Sequence, residues 1–219
     1  MRLSSTLLMA GAAFFFMNAS SAHAFSTPDH YVRGDVSSII SVSGTRDESA
    51  EKFVTMMASD AITFLGDESL SMEDKEQRFS KLLSRSFDMS TIGRFALGKY
   101  WRQASPEQRD DYQSLFRDMI IEVYSRRFSE YNGQELKVRE SRATGDNDVT
   151  VSSFIIPPNG GQEVQVDWRI RKKKGQYKVI DVVVEGVSMA LTQRSDFSSV
   201  IQRGGGDISV LLNHLRKQK

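Results

Sequence analysis

Apolar residues recur along this chain in two different periods, and the switch between them divides it. From Asp47 to Leu65 the residues Phe53, Met56, Met57, Ala61, Phe64 and Leu65 share one face of a 3.6-residue repeat. Gly66 then stands in the C′ position, where helices commonly end. Ser71, with Asp74 three residues on, has the form of a capping box and opens a second helix through Phe79, Leu82 and Leu83. A short third helix is predicted from near Asp88, carrying Ile92, Phe95 and Ala96 up to Gly98. The clearest start is Ser105-Pro106-Glu107-Gln108: serine caps, proline takes the first helical position, and Gln108 can reach back to the cap. Tyr112, Leu115, Phe116, Met119, Ile120, Val123, Tyr124 and Phe128 carry this pattern on to Tyr131. At 1.5 Å per residue that predicts a helix of roughly 35–40 Å, ended by Asn132-Gly133.

Beyond Gly133 the period falls to two. Four strands are predicted: Leu136 to Glu140, Asp148 to Ile156, Glu163 to Lys172 and Gln176 to Glu185. Asp146-Asn147, Pro157 to Gly161 and Lys173-Lys174-Gly175 supply the turns. The third strand alternates strictly, with Val164, Val166, Trp168 and Ile170 dry and Glu163, Gln165, Asp167, Arg169 and Arg171 wet. In the fourth, Ile180, Val182 and Val184 fall opposite Asp181, Val183 and Glu185. Gly186 breaks that strand, and helical spacing returns with Val187, Leu191, Phe197, Val200 and Ile201. After Gly204-Gly205-Gly206 a last helix runs from Asp207 to Leu215. One wet and one dry sheet face imply an α+β fold, an antiparallel curved sheet of about four strands covered on its apolar face by helices. Residues 25–44 are Ser-rich and weakly patterned, an extended arm or a short helix.

The N-terminus reads as a processing signal. Arg2 precedes an apolar run, Thr6 to Met17, and Ala22-His23-Ala24 is a small-x-small cleavage site. The run is shorter than the roughly 20 residues that span a bilayer. Residues 1–24 are therefore expected to be a cleaved signal peptide, and 25–219 one domain that is soluble. Composition agrees with one globular domain: 219 residues, 39% hydrophobic and 26% charged. Loss of Arg2 leaves basic and acidic residues in balance, without the basic excess of a nucleic-acid binder.

The inventory for catalysis is thin. Cysteine is absent, which removes thiol chemistry and disulfides, and the three histidines, His23, His30 and His214, are too scattered to form a cluster. The glycine triplet lacks a following Lys-Ser/Thr and reads as a helix end and hinge, not a phosphate loop. Asp181 and Asp167 are the carboxylates nearest the interior, but parity turns them to solvent or to the strand arginines. No catalytic residue, metal ligand or cofactor is assigned. The run Arg169, Arg171, Lys172, Lys173 and Lys174 is either a solvated hairpin end or a docking patch for an acidic partner. The apolar faces could form a solid core; long and flexible side chains, methionine among them, also suit a pliable cavity.

Three stretches carry a family resemblance: Ala96–Phe128, with its LGKYWRQASPEQR block; Val166–Ile201, with the EGVSM string at Glu185–Met189; and the glycine turn before Ile208–Leu215. They resemble the MlaC family of periplasmic phospholipid-binding, toluene-tolerance auxiliary transport proteins, with the hopanoid-associated HpnM branch a close variant. The likeness covers most of the chain from about Glu68. It implies a nuclear-transport-factor-like fold whose hydrophobic cavity takes acyl tails, and a monomeric periplasmic carrier that is not an enzyme. The implied partners are phospholipid, or a hopanoid in the variant, an inner-membrane ABC transporter with an MCE-domain subunit, and an outer-membrane lipoprotein–porin complex.

The cavity walls expected from the apolar pattern are Phe95, Phe116, Ile120, Tyr124, Ile180, Val182, Val184 and Leu191. Position in the family motifs adds Tyr100, Trp101, Val166, Trp168, Val187, Ser188 and Met189. Val187 is expected among the tails, so that a glutamate there would abolish lipid uptake more than folding. The Arg169–Lys174 run becomes a partner contact, although its local order departs from the family's usual strand end.

Overall fold

A computed structural model describes residues 45–218, so the expected signal peptide and the 25–44 arm lie outside the described residues. Helix α1 (Glu48–Leu65) is capped by Asp47, whose Oδ1 accepts the Ala50 N–H at 3.0 Å. The same carboxylate accepts the Tyr177 hydroxyl, which ties the start of α1 to the sheet. Gly66 caps α1 at φ −78°, so this helix ends without the left-handed residue its glycine suggested. Helix α2 (Met72–Ser86) opens on the Ser71/Asp74 capping box, and α3 (Met89–Leu97) on Asp88. Gly98 closes α3 at φ +59°, a conformation costly for residues with a Cβ. A single turn, α4 (Tyr100–Gln103), leads to α5 (Pro106–Ser125), where Ser105 and Gln108 complete the second capping box.

Helix α5 stops about one and a half turns before the Tyr131 expected from its apolar stripe. The Ser125 hydroxyl donates back to the carbonyls of Ile121 and Glu122, and a 3-10 turn, Phe128–Glu130, follows. That turn puts the Phe128 ring edge-on to Phe79 (centroids 5.4 Å apart) and to Phe64 (6.2 Å). Aromatic packing from two other helices redirects a chain that helical periodicity alone would continue.

The strands are β1 (Glu135–Ala143), β2 (Asp148–Ile156), β3 (Val164–Lys173), β4 (Gln176–Val184) and β5 (Val187–Ser188), an antiparallel meander in order β1-β2-β3-β4-β5. Like the turn α4, the fifth strand, only two residues long, is not predicted by the sequence pattern. It exists because Glu185 and Gly186 both take positive φ (49° and 79°), the geometry of a two-residue hairpin turn. Lys174 and Gly175 (50° and 78°) turn β3 into β4 in the same way. Two bulges bend the sheet: Arg139 is extra between Val138 and Glu140, and Ile180 between Val179 and Asp181. Helix α6 (Met189–Arg203) leaves β5 at Ser188, and α7 (Ile208–Arg216) opens on Asp207. Gly204 lets α7 approach closely, because a Cβ there would fall 2.5 Å from Val210.

Two cores form instead of one. Helices α1 and α2 cover the sheet, with Val54, Leu82, Val151, Val166, Ile170 and Val179 buried between them. Helices α3 to α7 bury Tyr112, Phe116, Phe197, Ile201, Leu211 and Leu215 against one another. The Tyr112 hydroxyl is satisfied inside that helical core by the Gly93 carbonyl at 2.9 Å. So the helices form two groups, one packed mainly on the sheet and the other mainly on itself, with α3 and α6 touching β4.

A charge also crosses from α1 to β1. Glu51, 9% exposed, accepts Arg46 Nε at 2.9 Å and Nη2 at 2.7 Å, and the Ser141 hydroxyl at 2.8 Å. The Arg46 hydrogen bond, then Ser141, hold its carboxyl below the ordinary range against the opposing effect of burial. A carboxyl lowered in the folded state stabilises the fold at pH values above its unfolded value, about 4.3 for glutamate. That contribution is lost as pH falls through the lower folded value. Urea midpoints measured from neutral pH downward should fall with acid in the wild type and fall less steeply in Glu51→Gln.

Candidate binding cavity

Between the two cores lies a cavity of about 290 Å³. Helix α1 contributes Met57, Ala61 and Leu65, and α2 adds Phe79, Leu82 and Leu83. Phe116, Ile120 and Tyr124 face it from successive turns of α5, while Leu136, Ile155, Trp168 and Val182 form its floor on four strands. Trp168 can present its ring as apolar wall because its indole N–H is satisfied within the sheet. It donates to Ser153 Oγ at 2.9 Å, and that hydroxyl donates to the Val166 carbonyl at 2.9 Å. Burial pushes the Tyr124 phenol up, which keeps the ring neutral at any ordinary pH.

One wall differs. Helix α6 turns Met189, Thr192, Gln193 and Asp196 to the cavity, and puts Phe197, Val200 and Ile201 into the helical core. Burial raises the Asp196 carboxyl above its ordinary value. Among the described residues lining the cavity there is no lysine, arginine or histidine. The described residues contain no group of three metal-type side chains, and no helix long and apolar enough to cross a membrane.

The hinge that brings α6 to this wall is Glu185-Gly186-Val187-Ser188-Met189. Glu185 and Gly186 make the turn, Val187 pairs with Val184, Ser188 caps α6 and Met189 begins it. Asp181 fixes the hinge: its carboxylate accepts the Ser188 hydroxyl at 2.6 Å, the Ala190 N–H at 3.1 Å and Arg169 Nη1 at 3.1 Å.

A family model described as MlaC protein matches residues 56–217. The chain belongs to the MlaC family. It is 29% identical over 123 residues to the intermembrane phospholipid transport system binding protein MlaC of Haemophilus influenzae, covering 55% of this chain and 58% of that one. It is also 29% identical over 110 residues to toluene tolerance protein ttg2D of Pseudomonas putida, covering 50% and 51%. The chain thus spans just over half the length of these curated relatives. A phospholipid-binding protein from Ralstonia solanacearum, solved in complex with a phospholipid, superposes with a TM-score of 0.65 at 28% identity. That match covers 77% of this chain and 95% of the other.

Of the fifteen wall residues expected from pattern and MlaC resemblance, Phe116, Ile120, Tyr124, Trp168, Val182 and Met189 line the cavity. The other nine do not. Val166 and Val184 are sealed in the sheet core, and Tyr100 and Trp101 belong to the helical core, where Arg109 stacks over the Trp101 ring at 5.5 Å. Ile180 is the extra residue of the β4 bulge, so it drops out of the alternation that placed it with Val182. Ser188 is buried as the α6 cap, a structural position. Phe95, Val187 and Leu191 are 41%, 45% and 52% exposed, so a charge at Val187 would face water rather than a ligand. The α1 and α2 walls were visible as apolar stripes but could not be told from ordinary core. Thr192, Gln193 and Asp196 carried no apolar signal at all.

The two interior-facing carboxylates and the basic run are largely engaged. Asp181 pairs with Arg169 as parity suggested, yet it is 7% exposed because the hinge folds over it. Asp167, half-buried, accepts the Gln165 side-chain amide. Arg171 grips Asp148 with two bonds of 2.7 Å, and Lys172 lies 5.2 Å over the Tyr177 ring. Lys173 and Lys174 line a shallow depression with Arg117 and Lys178 at the β3–β4 turn, the end of the sheet away from the α6 hinge.

Removing the Asp181 carboxylate strands two buried donors. Asp181→Ala should destabilise the fold by about 1–3 kcal/mol in urea unfolding, with Asp167→Ala within about 0.5 kcal/mol of wild type.

Proposed function

We propose that this chain is a non-enzymatic carrier that holds phospholipid acyl chains in the cavity and moves lipid between membranes through the periplasm. The observation that carries this reading is an apolar cavity walled by Phe, Leu, Ile, Met and Trp in a member of the MlaC family. The phospholipid bound by the Ralstonia neighbour, and the transport role in the Haemophilus relative's name, support it. The membrane complexes at either end would be an inner-membrane ABC transporter with an MCE-domain subunit and an outer-membrane lipoprotein–porin complex. The open charge of Lys173 and Lys174 is the surface we assign to such contacts.

The energetics suit a carrier. At about 0.8 kcal/mol per CH₂, a sixteen-carbon chain loses roughly 12 kcal/mol on entering water. The cavity must return most of this, or lipid stays in the membrane; it must not return much more, or lipid stays in the carrier. Loading then is a partition between two apolar media, and neither a nucleotide nor a metal is required for it. Of the carboxylates an enzyme of this architecture would recruit, Asp181 is already engaged by buried hydrogen bonds that build the fold, and Asp167 accepts the neighbouring Gln165 amide at the surface.

Protein isolated from the periplasm should carry phospholipid detectable by mass spectrometry, and the same spectrum would identify a hopanoid instead. Ala58 and Ala61 are the small residues on the α1 wall. Ala58→Trp and Ala61→Trp should fill the space and lower the bound lipid several-fold while the melting temperature holds. Wild-type protein free of lipid, or full loading of both variants, would count against the carrier.

A further inference from the structure

The cavity treats charge unequally. Its described walls include three acids, Glu135, Asp181 and Asp196, and no basic side chain. Asp181 is saturated by Ser188, Ala190 and Arg169. Asp196 is different: half-buried, it forms no hydrogen bond or ion pair among the described residues. Its neighbour Gln193 is likewise open, and Thr192 donates its hydroxyl proton to the Ser188 carbonyl at 3.0 Å, which leaves an oxygen to accept. The spacing 192, 193, 196 puts all three on one helical face. The opposite face of α6 is anchored by Phe197, Val200 and Ile201, so the polar strip is held toward the cavity.

An amphiphile in this space must align itself. Its tails belong against the aromatic and aliphatic walls of α2, α5 and the sheet, and its polar end belongs against the strip on α6. There it meets acceptors and a carboxylate. A headgroup of net negative charge would face Asp196 with no basic side chain among the described lining residues, whereas a protonated amine would complete it.

We infer that Thr192, Gln193 and Asp196 receive the polar end of the bound lipid, and that Asp196 selects a headgroup ending in a protonated primary amine over an anionic one. The inference rests on the carrier reading. The phosphate of such a lipid turns to water, and the ammonium folds back to the carboxylate. A quaternary ammonium retains the charge but cannot donate, so it should rank between the two.

The test is competitive loading. Purified protein is exchanged with vesicles of equal parts phosphatidylethanolamine, phosphatidylcholine and phosphatidylglycerol, re-isolated, and its bound lipids are quantified by mass spectrometry. Wild type should favour the ethanolamine lipid over the glycerol lipid roughly tenfold, the scale of one charge-assisted hydrogen bond. Asp196→Asn should bring that ratio close to the vesicle's own, and Asp196→Lys should invert it. Melting temperatures of both variants close to that of wild type would separate a change of selection from a loss of fold. Uptake by wild type in vesicle proportion, or a preference that survives Asp196→Asn, would overturn the assignment and leave the carrier standing. No uptake of any lipid by wild type would bring down both.

Discussion

Asp181 joins the two halves of this molecule. One carboxylate takes the Ser188 hydroxyl, the Ala190 N–H and Arg169 Nη1, and so links β3, β4, β5 and the first turn of α6 in one place. Every residue after it reaches its position through this junction. Helix α6 then carries Phe197, Val200 and Ile201 into the helical core, which α7 completes. Were α6 to leave the sheet at another angle, its apolar side and its polar side would both be misplaced. Because the carboxylate, the Ser188 hydroxyl and the Ala190 N–H are all buried, the junction is held by the cost of leaving them unpaired.

That geometry explains why hydrocarbon space remains. A helical layer usually sinks its apolar stripes into the sheet beneath. Here α3 to α7 bury most of theirs against each other, and α1 and α2 give theirs chiefly to the sheet. Phe116, Ile120 and Tyr124 on α5 approach Trp168 and Val182 on the floor without filling the gap. Ala58, Ala61 and Ala190 line it with small side chains that leave space a larger residue would fill. An apolar void costs the protein its missing dispersion contacts.

The polar strip on α6 adds direction to this. A uniformly greasy cavity would accept a lipid either way round; one wall of Thr192, Gln193 and Asp196 gives the two ends different environments. The basic residues at the β3–β4 turn lie at the other end of the sheet from the α6 hinge. Arg169 and Arg171 are not part of that open charge, since each is held by a carboxylate across the sheet.

Local sequence determined the parts whose causes are local. Capping boxes at Ser71 and Ser105, the Asp88 and Asp207 caps, the turn at Lys174-Gly175 and the strict alternation of β3 depend on neighbours within a few residues, and the structure has each of them. The motif resemblance added the family. Where distant residues meet, the pattern stopped being informative. Phe64 and Phe79 end α5 early, an extra residue at Ile180 resets the alternation of β4, and the hinge after Gly186 turns Val187 and Leu191 outward. An apolar residue has the same periodicity whether it faces a neighbour or a void, so sequence could name the stripes but not which ones border empty space. Asp196 was hidden for the converse reason: a polar residue on a helix reads as solvent-facing until the tertiary fold sets a cavity beside it.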